Sequence, residues 1–345
     1  MTRRSYAASP NFGYAYPVPR RLLIALAATA LLAGCASGAV TPEAAPEPGS
    51  AFPVTVAHKF GETVVPARPQ RVVALGYTEQ DAILAFGVVP VGVRHAFGPQ
   101  DDVFFPWADA AAGDAQPVVL PREGLDIEQV AALAPDLIMA VTAGLDQQQY
   151  DVYSKIAPTV VQPAEYVDFG TPWQVQTRVT GQALGQPERA DELVAGVEAK
   201  FAEVKAAHPE LEGRSVVLSG PMYDGSYPFH ATDDTRTRFF GALGMVVPPE
   251  LDAAAGDSFF GTISRENASM LNADVLVWQS GSPQERAEIE SDPILAAQPV
   301  VQQGRALFLE GTDYDALQFS SVLSLPHLLD SFVPQLAAAA QVGAP

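Results

Sequence analysis

Short apolar runs alternating with helical patterns constrain this chain more than any other feature. Arg71-Val72-Val73-Ala74-Leu75 reads as a strand, since a short continuous apolar run suits a strand buried on both faces. Residues 79–86 then carry apolar positions at helical spacing and stop at Gly87. Pro90-Val91-Gly92-Val93 reads as a strand, 127–133 as a helix and Leu137-Ile138-Met139-Ala140-Val141 as a strand. A helix over 150–156 and the strand Thr159-Val160-Val161 close the series. Antiparallel strands can be joined by a tight turn, whereas parallel ones need a crossover, usually a helix. The alternation therefore predicts βαβ units around a parallel sheet.

A long helix is expected next. Pro187 suits a first helical position, and Glu188, Asp191 and Glu192 favour the positive end of the helix dipole. Leu193, Val197, Phe201 and Val204 form an apolar stripe. A helix over 187–207 would be about 32 Å long, enough to cross one lobe and join another. Beyond it the pattern repeats. Arg214-Ser215-Val216-Val217-Leu218 echoes the strand at 71–75. The segment 128–138 matches 266–276, with Glu128, Leu133 and Asp136 answered by Glu266, Leu271 and Asp274. The predicted fold class is α/β: two Rossmann-like lobes with central parallel sheets, over 52–180 and 210–340, joined by one long interdomain helix.

The first 35 residues read as an address. Arg20 and Arg21 precede an apolar run over 22–33, which ends in Leu32-Ala33-Gly34-Cys35. A basic flank, a short apolar core and small residues at the cut make a signal peptide; a membrane span needs about 20 apolar residues. The ending resembles a bacterial lipobox, with Cys35 as the acylated residue. Cys35 is the single cysteine of the chain, so no internal disulfide forms. Residues 36–50, rich in proline and small residues, suit a solvated linker. Segment 1–35 holds four arginines and no acids, so its removal takes the formal charge from −20 to −24. Such an acidic body argues against nucleic-acid binding. The expected location is outside the cell, lipid-anchored to the outer face of the cytoplasmic membrane.

Taken together these segments resemble the siderophore and cobalamin branch of the periplasmic binding proteins, across residues 52–340. The motifs that carry the resemblance are Pro69-Gln70-Arg71-Val72-Val73-Ala74-Leu75, Gly87-Val88-Val89-Pro90-Val91-Gly92-Val93 and Leu133-Ala134-Pro135-Asp136-Leu137-Ile138. Thr171-Pro172-Trp173, Thr235-Arg236-Thr237-Arg238-Phe239-Phe240 and Leu323-Ser324-Leu325-Pro326-His327-Leu328-Leu329-Asp330 are similar to actinobacterial iron–siderophore binders. The resemblance implies a monomer that binds a ferric siderophore and delivers it to the permease dimer of an ABC importer. It also implies a docking glutamate in each lobe, Glu128 and Glu266. Without it, each acid simply complements a helix dipole behind the caps Asp126 and Ser264.

In open α/β sheets, ligands bind beyond the carboxyl ends of the strands. Residues there are Tyr77, Arg94, Trp107 and Thr142 in the first lobe, and Tyr223, Trp278 and Tyr314 in the second, with Arg236 and Arg238 near a helix start. A ferric chelate calls for cationic donors toward its oxygens and rings toward its organic body. Arg236 and Arg238 are two residues apart, so both cannot face one cleft equally from a helix; one pairs with Asp233 or Asp234. Trp107 could instead cover the core, Trp173 suits the lobe junction, and His230 is a further candidate. The acidic body favours a neutral ferric hydroxamate over a triscatecholate as cargo.

Other function classes find less support. No Gly-x-Ser-x-Gly, Ser-x-x-Lys, His-Glu-x-x-His or phosphate loop occurs, so no enzyme is expected. The histidines at 58, 95, 208, 230 and 327 lack metal-ligand spacing. No cofactor is expected, because the iron would arrive inside its chelator. Haem or cobalamin binding on the same fold is the nearest alternative, with Tyr77, Tyr223 or His230 as axial candidates for haem. A purely structural surface lipoprotein is the last.

Overall fold

The computed structural model describes residues 51–96, 103–123, 126–222 and 224–342. Cys35, the segment 1–35 expected to be a signal peptide, the expected linker over 36–50 and Tyr223 lie outside the described residues. The body opens with an antiparallel hairpin, β1 (Val54–His58) and β2 (Gly61–Val65). The alternation pattern did not anticipate it. Its turn is set by Gly61 at φ 118, a backbone conformation that side-chain-bearing residues rarely adopt.

Five strands follow: β3 (Val72–Ala74), β4 (Gly92–Arg94), β5 (Val118–Leu120), β6 (Leu137–Ala140) and β7 (Thr159–Val161). They form a wholly parallel sheet in the order β5-β4-β3-β6-β7. Every residue of β3, β6 and β7 is buried, as a sheet covered on both faces requires.

The second sheet holds β8 (Val216–Ser219), β9 (Ser226–His230), β10 (Phe260–Ser264), β11 (Val275–Gln279) and β12 (Ala306–Leu309), in the order β10-β9-β8-β11-β12. Strands β8, β11 and β12 are parallel, whereas β9 and β10 pair antiparallel at one edge. The link from β8 to β9 over 220–225 is too short for a helical crossover, so the chain turns straight back.

The helix Pro187–Ala207 joins the two halves. Ala190 near its start is buried in the core under the first sheet, and Val197 and Phe201 are buried in that of the second. Pro187 opens it, Glu188 lies in its first turn and Lys205 in its last, so the charges complement the dipole.

The repeated aspartates do the same work twice. Asp136 accepts hydrogen bonds from the backbone N–H groups of Gln70 and Arg71, each at 2.8 Å, just before β3. Asp274 accepts from the Ser215 N–H at 2.8 Å, just before β8. Each carboxylate ties the start of one strand to that of its parallel neighbour. The caps differ. Asp126 accepts from the Glu128 N–H at 2.9 Å at the head of the helix Ile127–Ala132, whereas Ser264 makes no such bond and Arg265–Leu271 forms a 3-10 helix.

Candidate functional site

The cleft lies between the two sheets and encloses about 260 Å³. Its first wall comes from the carboxyl ends of β3 and β6. Tyr77 and Thr78 follow β3, Thr142 follows β6, and all three line it. The two strand ends are bonded together: Thr142 Oγ1 accepts from the Tyr77 and Thr78 N–H groups at 3.0 and 3.2 Å and donates to Glu79 Oε2 at 2.8 Å. Burial pushes the Glu79 carboxyl up to about 7, against the hydrogen bonds it receives from Thr142. The Tyr77 ring stacks on Phe169 with centroids 5.8 Å apart, and Phe169 also lines the cleft.

The opposite wall is built around Arg236. Its Nε and Nη2 donate to the two oxygens of Asp234 at 2.8 and 2.6 Å, a forked pair, and its Nη1 donates to Gln318 Oε1 at 3.2 Å. Behind Asp234, Gln279 Nε2 donates to His230 Nε2 at 2.7 Å, which leaves His230 Nδ1 to donate to Asp234 Oδ2 at 3.1 Å. Burial would raise the Asp234 carboxyl, yet the hydrogen bonds from His230 and Arg236 and the guanidinium charge hold it well below the usual carboxylate range. Burial, with the nearby Arg236 charge, lowers the His230 pKa. Phe259 and Phe319 add two further rings to the cleft lining.

Of the residues singled out from sequence, Tyr77, Thr142 and Arg236 line this cleft. Trp278 does not: it lies within β11, 2% exposed, in the core beside Tyr227 and Phe229. The expectation placed it beyond the strand end, and the strand runs one residue past it. Arg94 is not among the lining residues. Its guanidinium lies 4.5 Å from the Tyr77 ring centroid and donates to the Arg122 carbonyl at 3.1 and 2.6 Å. Arg238 is not among the lining residues and donates to the Gly170 carbonyl of the first half at 3.0 Å. Tyr314 is not among the lining residues, and burial raises its pKa.

Trp107 is also a supporting residue. Its ring stacks on Phe105 at 4.7 Å and meets the cleft residue Phe319 edge-on at 5.5 Å, and its Nε1 donates to Asp81 Oδ2 at 2.8 Å. Trp173 heads the helix Trp173–Ala183 and packs against the second core, at the junction. Glu128 and Glu266 are both exposed. The sequence reading missed Phe169, Thr171, Phe259, Gln318 and Phe319. Thr171 opens the Thr171-Pro172-Trp173 motif and Phe169 lies two residues before it, which was the one signal pointing to them.

A family model described as periplasmic binding protein matches residues 72–311. The chain belongs to the periplasmic binding protein family. Among solved members, this binding protein is 37% identical to a periplasmic solute binding protein from Mycobacterium smegmatis, with a TM-score of 0.76 over 83% of this chain and 98% of that one. Streptococcus pneumoniae PiaA, solved in complex with ferrichrome, is 25% identical, with a TM-score of 0.71 over 84% and 99% of the two chains. The ferric-anguibactin-binding protein FatB of Vibrio anguillarum is 27% identical over 296 residues, 81% of this chain and 87% of the relative. No helix among the described residues of this binding protein is long and apolar enough to cross a membrane. Nor do its described residues hold a group of three or more His, Cys, Asp or Glu side chains placed to bind a metal ion.

Proposed function

We propose that this protein captures a ferric siderophore outside the cytoplasmic membrane and delivers it to the permease of an ABC importer. The observation that carries the reading is the cleft between two sheets, lined by four aromatic rings and one forked guanidinium. Rings offer apolar faces to the organic body of a chelate, and a guanidinium offers donors to the oxygens around its iron. Relatives named for ferric anguibactin and siderophore binding support it. The grip is noncovalent, and the iron belongs to the guest. His230 has both ring nitrogens engaged, which counts against it as an axial ligand to haem.

Delivery would use the exposed Glu128 and Glu266, one in each half, as a two-point contact with cationic groups on the permease. Paired charges of this kind fix register and speed encounter. Acylation at Cys35 would hold the monomeric protein at the membrane, with 36–50 as a tether. The test is equilibrium titration of the purified chain with ferric siderophores, haem and cobalamin, followed by absorbance and thermal shift. Saturable binding confined to ferric siderophores is expected. Saturation by haem or cobalamin, with none by any ferric siderophore, would overturn the reading.

A further inference from the structure

Resting on the reading of the cleft as a ferric siderophore site, we propose that it selects chelates of little or no net charge, of the tris-hydroxamate kind, over trianionic tris-catecholates. Three singly charged hydroxamates cancel the charge of iron(III). Three doubly charged catecholates leave three negative charges, which need cationic side chains in the wall.

The wall does not supply them. Its charged lining residues are Arg236 and Asp234, and these neutralise each other through the forked pair. Asp234 is 1% exposed and also held by His230 and the Arg236 N–H, so it cannot swing aside to free the guanidinium. The remaining donors of Arg236 still reach the cleft, but its charge is already matched. Arg94 lies over the Tyr77 ring, donates to the Arg122 carbonyl and is not among the lining residues. Arg238 lies in an adjoining cavity whose other charged residues are Glu165, Asp233 and Asp257, an acidic surround. Among the described residues, no lysine or arginine other than Arg236 lines this cleft.

What the wall offers is neutral. Thr78, Thr142, Thr235, Gln176 and Gln318 line it with hydroxyls and amides. Thr171 Oγ1 is buried in the same wall and has no hydrogen-bond partner among the described residues. A buried hydroxyl without a partner costs free energy, and like the other polar groups of the wall it carries no charge. With the rings of Tyr77, Phe169, Phe259 and Phe319, the lining matches an uncharged chelate with a hydrocarbon or peptide backbone.

The experiment titrates the full chain with ferrichrome, a neutral tris-hydroxamate, and with ferric enterobactin, a trianionic tris-catecholate, at low and high sodium chloride. Ferrichrome should bind at least ~10-fold more tightly, the factor expected when buried charge is left poorly paired. Its affinity should change less than about twofold with salt, since no net charge is matched. Thr235→Lys, which adds one cation to the wall at a partly exposed position, should tighten the catecholate about 10-fold. Catecholate binding as tight as that of ferrichrome in the unsubstituted chain would overturn the selectivity alone. Silence toward both chelates would overturn the selectivity, and silence toward every ferric siderophore of the titration panel would overturn the siderophore site with it.

Discussion

Asp81 accepts the hydroxyl hydrogen of Ser321, 240 residues further along the chain, and so ties the first half of the molecule to the second. Ser321 Oγ in turn accepts from the Ser324 N–H at 3.0 Å at the head of the helix Ser324–Ser331. Trp107 Nε1 donates to the same Asp81 oxygen at 2.8 Å. The other oxygen, Oδ1, is buried with no partner among the described residues. One carboxyl therefore joins the helix Glu79–Ala85, the loop that carries Trp107 and the far side of the cleft.

That carboxyl makes stability depend on pH. Burial raises Asp81 from 3.8 to about 6, with the bonds from Ser321 and Trp107 opposing the shift in part. The folded state thus holds a proton that the unfolded chain has released, and its stabilising effect is complete below 3.8 and lost as pH rises through about 6. Buried histidines such as His58 and His230, whose pKa values are lowered, act the other way, so a comparison with a variant isolates Asp81. The stability of Asp81→Asn minus that of the unsubstituted chain should rise by about 2 kcal/mol between pH 4 and pH 7. Thermal melts across that range check it. A flat difference would show that Asp81 keeps an ordinary pKa.

Trp278 fills the core of the second half, so its loss should cost stability and spare binding. Trp278→Ala is expected to destabilise the fold by about 3–5 kcal/mol, as other large-to-small core changes do. Ligand affinity below the melting transition should stay within about twofold, because the side chain reaches no cleft residue through a polar contact and sits among Tyr227, Phe229 and Leu276. Denaturant titration gives the first quantity and ligand titration the second. A large affinity loss in a folded variant would return Trp278 to the site.

How far the sequence could be read follows from these residues. Tyr77 and Thr142 were legible because they stand just past β3 and β6, where a parallel sheet opens its crevice. Trp278 misled because Val275-Leu276-Val277-Trp278 is apolar throughout, and such a run marks a buried strand without marking its last residue. Phe259, Gln318 and Phe319 of the second wall escaped because they come from the end of the antiparallel pair β9 and β10 and from the last turn of the helix Gly311–Phe319. Their pairing depends on register, which local periodicity does not encode. Arg236 both lines the cleft and pairs with Asp234, whereas Arg238 is not among the lining residues and bonds the Gly170 carbonyl. The matching positions of Asp136 and Asp274 were visible as a repeat, but their shared task needed the strand starts they bind.

The docking proposal separates delivery from capture. Glu128 and Glu266 are exposed, and neither lines the cleft. Replacing both by alanine should leave ferric siderophore affinity within about twofold while abolishing uptake in cells that depend on this protein; rim charges act mainly on encounter and register. Binding titrations beside radiolabelled iron uptake make the comparison. Normal uptake by the double variant would remove these two acids from delivery.

Arg236 should behave as both a binding and a supporting residue, and two substitutions distinguish the roles. Arg236→Ala removes the donors facing the cleft and also strips Asp234 of its forked partner, leaving a buried carboxylate with His230 and backbone contacts. Breaking one side of a buried pair costs about 3–5 kcal/mol, so this variant should melt lower and bind at least ~10-fold more weakly. Arg236→Lys keeps the charge and much of the support for Asp234 but loses the planar fork. It should recover most of the stability while affinity stays low, because an ammonium cannot serve Asp234, Gln318 and a ligand oxygen from one rigid plane. Melting curves and titrations on both variants test this directly. Full affinity in Arg236→Lys would reduce the guanidinium to a structural counter-ion and leave the rings and neutral hydroxyls to carry recognition.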